Sequence, residues 1–349
     1  MLDYIIVGAG LAGVCFAETV LCENKSFCLI DGGSRSSSLV AGGMYNPVVL
    51  KRFTEVWKTK EQIDLAKPFY KAIERRLDIC FNHPMPLYRR FASVEEQNNW
   101  FQALDKQNLS SYLCPELIYD KVLGVRSEFG FGEVKETGYL DAKLLIESYR
   151  SFLDSKGLFE NECFDYSELQ YTSSYVEYKG IRAKNIVFAE GFGLNENPFF
   201  NYLPLDGTKG ELLVVRIPNL KVNFILKAKV FLIPLGNDLF KVGATYDWKD
   251  KSDSITEEGK DELLEGLKEV VGLDFEVVSH VAGVRPTVKD RRPLVGSSEA
   301  SSAIHVLNGL GTRGVLLGPF LAKALYNYIE NGVELDRDIS IERFKKNNN

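Results

Sequence analysis

The chain has 349 residues, 45% hydrophobic and 26% charged, with a formal net charge of −6. That length exceeds the usual span of one core, so two domains or one elaborated domain is expected, and the composition excludes a disordered chain. The acidic balance, with no long basic run, disfavours a nucleic-acid partner, and no apolar run approaches membrane-spanning length.

The first element is the stretch from Tyr4 to Asp31. An apolar run from Tyr4 to Val7 enters Gly8-Ala9-Gly10-Leu11-Ala12-Gly13. A helical pattern follows, then a second apolar run from Phe27 to Ile30 that ends on Asp31. Gly8 permits a tight turn, Gly10 lets a pyrophosphate approach the backbone, and Gly13 lets helix and strand pack closely. The helix N-terminus offers unpaired N–H groups to phosphate, and a carboxylate about twenty residues on accepts from a ribose. The whole unit predicts an adenine dinucleotide. The opening residues read as folded-domain sequence, with Asp3 where a secretory signal would be positive. The six cysteines are scattered without C-x-x-C pairs and there are three histidines. A reducing, cytoplasmic setting and no metal site are therefore expected.

Residues 32–47, rich in Gly and Ser, follow Asp31 at the sheet edge where ligands bind in open α/β folds. From Lys58, Ile63, Ala66, Phe69, Tyr70 and Ile73 recur at helical spacing, and Val94 to Gln107 predicts a second helix. Residues 115–138 read as short strands with glycine turns. Gly138-Tyr139-Leu140-Asp141 leads into a helix through Leu153. Ser174 to Tyr178 and Asn185 to Ala189 read as strands, the second ending in Ala189-Glu190-Gly191-Phe192-Gly193, a return to the dinucleotide sheet.

Between 205 and 285 four strands are predicted: Glu211 to Val215, Val230 to Ile233, Leu239 to Ala244 and Phe275 to Val284. A helix from Glu257 to Val271 lies between the last two, which gives an α+β layer. A last strand, Ile304 to Leu307, enters Gly309-Leu310-Gly311-Thr312-Arg313-Gly314 and a closing helix. Two glycine-backed helix N-termini, if they share one sheet, can bridge a long dinucleotide, which favours FAD over NAD.

Taken together, the sequence resembles the FAD-dependent D-amino-acid oxidase superfamily, in particular its glycine oxidase and sarcosine oxidase-like members. The resemblance rests on VGAGLAG with Asp31, SSLVAGGMYNP, GYLD, VFAEGFG, DGTKGELLVV, VFLIPLGNDLFKVGATYDW, AGVRPTVKDRRPLVG and VLNGLGTRGVLLGP. It implies an α/β plus α+β protein. A discontinuous Rossmann-like FAD-binding domain (1–57, 138–204 and 286–349) would join an antiparallel-sheet substrate domain (58–137 and 205–285). It implies that Gly8, Gly10, Leu11, Ala12 and Gly13 meet the pyrophosphate and that Asp31 and Gly32 serve the ribose. Ser38, Ala41, Gly42, Gly43 and Met44 would line the flavin. Phe164, Ala189 and Gly191 would lie near the adenine or diphosphate, and Gly311, Thr312, Arg313 and Gly314 at the pyrimidine edge of the ring. The resemblance implies a motif that usually has Thr or a small residue where Glu190 stands, so no cofactor role is carried over to Glu190. With no cysteine after Cys163 and no histidine before His83, non-covalent FAD is expected.

The implied activity is oxidation of the C–N bond of a small amino acid or N-substituted glycine, by hydride transfer to flavin N5, with oxygen or another acceptor taking the electrons. Arg285 matches the family's carboxylate anchor; the alternative is a structural arginine paired with Asp290. Arg52 and Tyr246 are weaker pocket candidates, and Trp248 is expected to serve packing. Rival readings are a tRNA wobble-uridine-modifying FAD oxidoreductase acting on a carboxymethylaminomethyl group, a non-catalytic flavin-binding redox sensor or scaffold, and an NAD-dependent dehydrogenase.

Overall fold

The computed structural model describes residues 1–33, 37–119 and 122–345. Parts of three expectations fall outside these residues: 34–36 of the Gly/Ser stretch, 120–121 of the short-strand region, and the last four residues of the chain.

The first sheet forms where the sequence is continuously apolar. In Leu2–Val7 the side chains from Tyr4 to Val7 are buried on both faces, the pattern of a central parallel strand. It pairs in parallel with Phe27–Ile30 on one side and Ile181–Phe188 on the other. Ile181–Phe188 pairs in parallel with Ile304–Asn308, and Phe159–Glu160 extends the sheet beyond Phe27–Ile30. Antiparallel additions are Val176–Tyr178 and Leu169–Tyr171 at one end and Leu294–Ser297 beside Ile304–Asn308. The short strands Phe159–Glu160 and Leu294–Ser297 carry no periodic signal of their own.

Two helices leave the same edge of this sheet. Leu11–Cys22 follows the first strand and Gly314–Asn331 follows Ile304–Asn308. They pack side by side, and a Cβ on Gly318 would come within 2.8 Å of Cys15 Sγ. Thr59–Leu77 packs on them: its buried Tyr70 donates to the Val315 carbonyl at 2.6 Å. This helix, assigned from sequence to the substrate unit, thus shares a core with the dinucleotide helices.

The second sheet has the order Glu276–Arg285, Thr208–Arg216, Leu239–Gly243, Phe231–Gly236, Ile225–Lys227, Leu87–Arg90, Phe131–Val134, Leu113–Ile118. All neighbours are antiparallel except Ile225–Lys227 with Leu87–Arg90. Strand alternation divides its faces. Leu213, Val215, Phe240 and Val242 pack under the helix Glu257–Lys268 through Leu263 and Leu267. Leu212, Phe231 and Ile233 face the other way, into the core shared with the first sheet's helices. Buried Glu211 fastens the covering helix by accepting from the backbone N–H of its cap Thr256 at 3.0 Å and from the Thr256 hydroxyl at 2.7 Å. A small sheet, Met44–Tyr45 with Gly138–Leu140 and Asn82–Pro84, links the two lobes. Asp141 then caps the helix Ala142–Ser155, accepting from Leu144 N–H.

Candidate active site

A cavity of about 600 Å³ lies between the C-terminal edge of the first sheet and the inner face of the second. Gly10 at the first glycine turn and Gly311 at the second both line it. The helices that open there, at Leu11 and Gly314, have no side-chain cap at their N-cap residues, so backbone N–H groups are left facing a ligand. Gly311 has φ +55°, a left-handed conformation that glycine adopts without strain.

At the first turn, Gly8, Leu11, Ala12 and Asp31 also line the cavity. Leu11 N–H donates to Ser38 Oγ at 3.2 Å, which ties the Gly/Ser loop to the helix N-terminus. Asp31 accepts from the backbone N–H groups of Ala9 and Gly33 and from Arg150 Nη2 at 2.9 Å. Arg150, from the helix Ala142–Ser155, has no sequence signal that marks it, because its register is set only by the packing of that helix. Gly13 does not line the cavity. A Cβ there would lie 1.8 Å from the Gly8 carbonyl oxygen, so its role is the close approach of helix and turn.

Ser38, Ala41, Gly42, Gly43 and Met44 line one wall. A Cβ on Gly42 would come within 2.7 Å of the Phe231 ring of the second sheet, and Lys241 Nζ donates to the Ala41 carbonyl at 3.2 Å. The loop is thus held against both lobes. Ala189, Glu190 and Gly191 line the cavity beyond Ile181–Phe188. Glu190 accepts from the Tyr166 hydroxyl and, at 2.8 Å, from Asn197 Nδ2, and burial pushes its carboxyl up to about 7. These two partners satisfy the buried acid.

Thr312, Arg313 and Gly314 line the opposite end with Gly311. Burial and the neighbouring Arg292 and Arg291 pull the Arg313 guanidinium below its ordinary value, so positive charge is concentrated at a helix N-terminus. Two further predicted cofactor residues, besides Gly13, lie off the cavity. Gly32 packs against Cys163, whose Sγ would be 2.4 Å from a Cβ there, and the Phe164 ring stacks on Tyr178 at 4.2 Å.

The second sheet presents Arg285 and Tyr246 to the cavity. Arg285 Nη1 donates to the carbonyls of Lys209 at 3.3 Å and Thr245 at 3.2 Å, and the guanidinium stacks on Tyr246 at 4.5 Å. It does not pair with Asp290, which bonds instead to Arg343. Gly210 makes this pose possible, because a Cβ there would sit 1.9 Å from Arg285 Nη2. Arg52 is exposed and away from the cavity, its backbone N–H bonded to Val49. Trp248 is 41% exposed and lies under Arg291 rather than in a core. Three lysines that sequence reasoning missed, Lys51, Lys227 and Lys229, line the cavity as well. Among the described residues no cluster of His, Cys, Asp or Glu is placed to hold a metal ion.

A fold with two phosphate-facing helix N-termini on one trough, roofed by an antiparallel sheet, defines an FAD-dependent oxidoreductase. The family model of that description, "FAD dependent oxidoreductase" (DAO), matches residues 3–327, and the chain belongs to that family. It is 22% identical to the glycine oxidase of Bacillus subtilis over 358 aligned positions, covering 94% of this chain and 93% of that protein. It is also 22% identical to the tRNA 5-methylaminomethyl-2-thiouridine biosynthesis bifunctional protein MnmC of Marinobacter nauticus, covering 93% of this chain but 55% of that protein. The chain thus spans about half the length of that relative, and 142 aligned residues, 40% of the chain, match 22% of a Campylobacter jejuni protein of the same name at 27% identity. Among solved structures, glycine oxidase from Bacillus cereus superposes with a TM-score of 0.77 at 18% identity, covering 96% of both chains. Iminodiacetate oxidase from Chelativorans superposes at 0.76 and 17% identity, covering 97% of this chain and 99% of that one. The protein is a flavoprotein of this family, and no helix among its described residues is long and apolar enough to cross a membrane.

Proposed function

We propose that the protein oxidises the C–N bond of a small amino acid or N-substituted glycine. The observation that carries this reading is Arg285. Its guanidinium reaches the cavity held only by two carbonyls and an aromatic face, with no acid among the described residues to neutralise it. A half-buried cation of that kind is a ready partner for a substrate carboxylate, and the planar fork suits it. Bound FAD would supply the two-electron acceptor, leaving a C=N bond that water hydrolyses to an oxo acid or aldehyde and an amine.

The chain's own residues supply position and field. The backbone N–H group at Ala12 and the Asp31 carboxylate suit the diphosphate and ribose; the Gly314 helix end and Arg313 suit the pyrimidine edge, where negative charge develops on reduction. Arg285 holds the substrate carboxylate beneath the second sheet. Among the described residues no cysteine or histidine lines the cavity, which supports FAD held without a covalent bond. Reduction of the FAD-loaded protein under anaerobic conditions, followed by flavin absorbance against D-, L- and N-alkyl amino acids, tests the reading. Bleaching by at least one N-substituted glycine or small amino acid is expected, and failure across the panel would sink it.

A second reading, action on the carboxymethylaminomethyl group of a tRNA wobble uridine, draws support from the similarity to the tRNA-modification proteins and from Lys51 and Lys227 in the cavity wall. That substituent is itself an N-substituted glycine, so Arg285 would serve it in the same way.

A further inference from the structure

Lys227 is a cation that the fold leaves without an acid. It ends the strand Ile225–Lys227 and lines the cavity, and among the described residues its ammonium makes no hydrogen bond or ion pair. Its ammonium lies 6.0 Å from the Phe231 ring, its one ring contact among those residues. Its charged neighbours are already matched. Arg89 is paired with Glu96 and Lys229 with Glu269, while Glu262 lines the cavity from an exposed position on the covering helix. Burial, with Arg89 nearby, draws Lys227 down to about 8, a value at which it is still mostly protonated in neutral solution. A cation taken out of water without a partner is costly unless a ligand anion completes it.

The register of the sheet fixes where this cation stands relative to Arg285. Lys227 lies opposite Phe231, Phe231 opposite Gly243, Gly243 opposite Leu212, and Leu212 opposite Val281. Residues in one such row share a face, and Arg285, four residues beyond Val281 on the same strand, shares it too. Four strand spacings of about 4.8 Å and four residues at about 3.3 Å separate the two backbones by roughly 23 Å. Arg285 leans across the neighbouring strand with its guanidinium over Gly210, and with Lys227 extended towards it two side chains of about 6 Å bring the charged ends to about 10 Å at their closest.

We propose that Lys227 binds a second anionic group of the substrate, a carboxylate or a phosphate carried on the amine substituent, about 10 Å from the carboxylate that Arg285 holds. This rests on the reading of Arg285 given above. The preferred substrate is then an extended dianion rather than glycine itself, and Lys227 is a specificity-determining residue that leaves the reacting bond untouched.

The test uses FAD-loaded protein and unreactive probes, with perturbation of the flavin absorbance as the readout. Nonanoate, nonanedioate and 9-phosphononanoate present one anion, two carboxylates, and a carboxylate with a phosphonate at about the required span. Wild-type protein is expected to bind one or both dianions roughly 10- to 100-fold more tightly than nonanoate, and which one identifies the distal group. Lys227→Met is expected to shrink that preference to within about twofold, and Lys227→Arg to keep most of it. A wild-type protein that binds nonanoate with no preference for either dianion overturns the Lys227 assignment and leaves Arg285 in place. A dianion preference that survives Lys227→Met overturns it equally. If none of the three carboxylates perturbs the flavin, or if Arg285→Met changes nothing, the carboxylate anchor itself fails and the Lys227 assignment falls with it.

Discussion

Gly210→Ala isolates the anchor without changing a charge. The new methyl would lie 1.9 Å from Arg285 Nη2, 2.2 Å from Cζ and 2.3 Å from Nη1, so the guanidinium must leave its position. Leaving costs the two carbonyl bonds and the Tyr246 stack, but these join the flexible end of a side chain rather than backbone to backbone. The fold can therefore absorb the methyl for about 1 kcal/mol, the low end of overpacking. The site cannot absorb it, because a charged hydrogen bond of about 1.5–3 kcal/mol to the substrate carboxylate is lost, or roughly 10- to 100-fold in affinity. The assay is carboxylate titration of the bound flavin's absorbance, alongside thermal unfolding and flavin content. The expected result is weakened carboxylate binding close to that of Arg285→Met, with full flavin content and a melting temperature lowered by no more than a few degrees. Wild-type carboxylate affinity in Gly210→Ala would refute the anchoring role. A collapse in stability would instead show that the fold does not absorb the methyl, and Arg285→Met would then carry the test of the anchor.

Glu190 should give the apoprotein a pH-dependent stability. Its folded-state pKa is raised from 4.5 to about 7, so the native state holds a proton that the unfolded chain has released. Stability then falls as pH rises from about 4.5 to about 7, by at most about 3 kcal/mol, and is flat above. Glu190→Gln should remove that slope from melting temperatures measured between those limits, and an unchanged slope would assign it to other groups. Asp31→Ala should weaken FAD binding roughly 10- to 100-fold, read from flavin fluorescence during reconstitution of the apoprotein. Affinity equal to wild type would remove the carboxylate from the cofactor site.

The two glycine turns were legible because each carries a local rule: an apolar strand, a turn that tolerates positive φ, and a helix whose N-cap residue supplies no side-chain cap. The roof sheet was legible through alternation, and the four strands predicted between 205 and 285 correspond to Thr208–Arg216, Phe231–Gly236, Leu239–Gly243 and Glu276–Arg285. Arg285 was found by resemblance, not by pattern. What stayed hidden depends on pairing between distant segments. Lys227 sits on a three-residue strand too short to show periodicity, and its meaning comes from a register that runs across four other strands. Arg150 reaches Asp31 from a separate helix.

The roof glycines show how the two lobes are joined into one site. Gly283 accepts Val40 of the loop that follows Asp31, whose Cγ2 would lie 2.6 Å from a Cβ there. Gly243 would place a Cβ within 2.6 Å of the Phe231 ring, the same ring that packs on Gly42 of that loop. Gly210, opposite Gly283, admits the guanidinium of Arg285. Three adjacent strands thus leave out a side chain at the points where Val40, the Phe231 ring or the Arg285 guanidinium comes close. A strand normally loses packing and gains entropy cost at a glycine, so three of them on one inner face are poor sheet design unless the space is needed. The space is used in each case by a group that faces the cavity or carries one that does. The missing side chains of the roof, as much as the residues that remain, therefore set how closely Arg285 and the loop after Asp31 approach across the cavity.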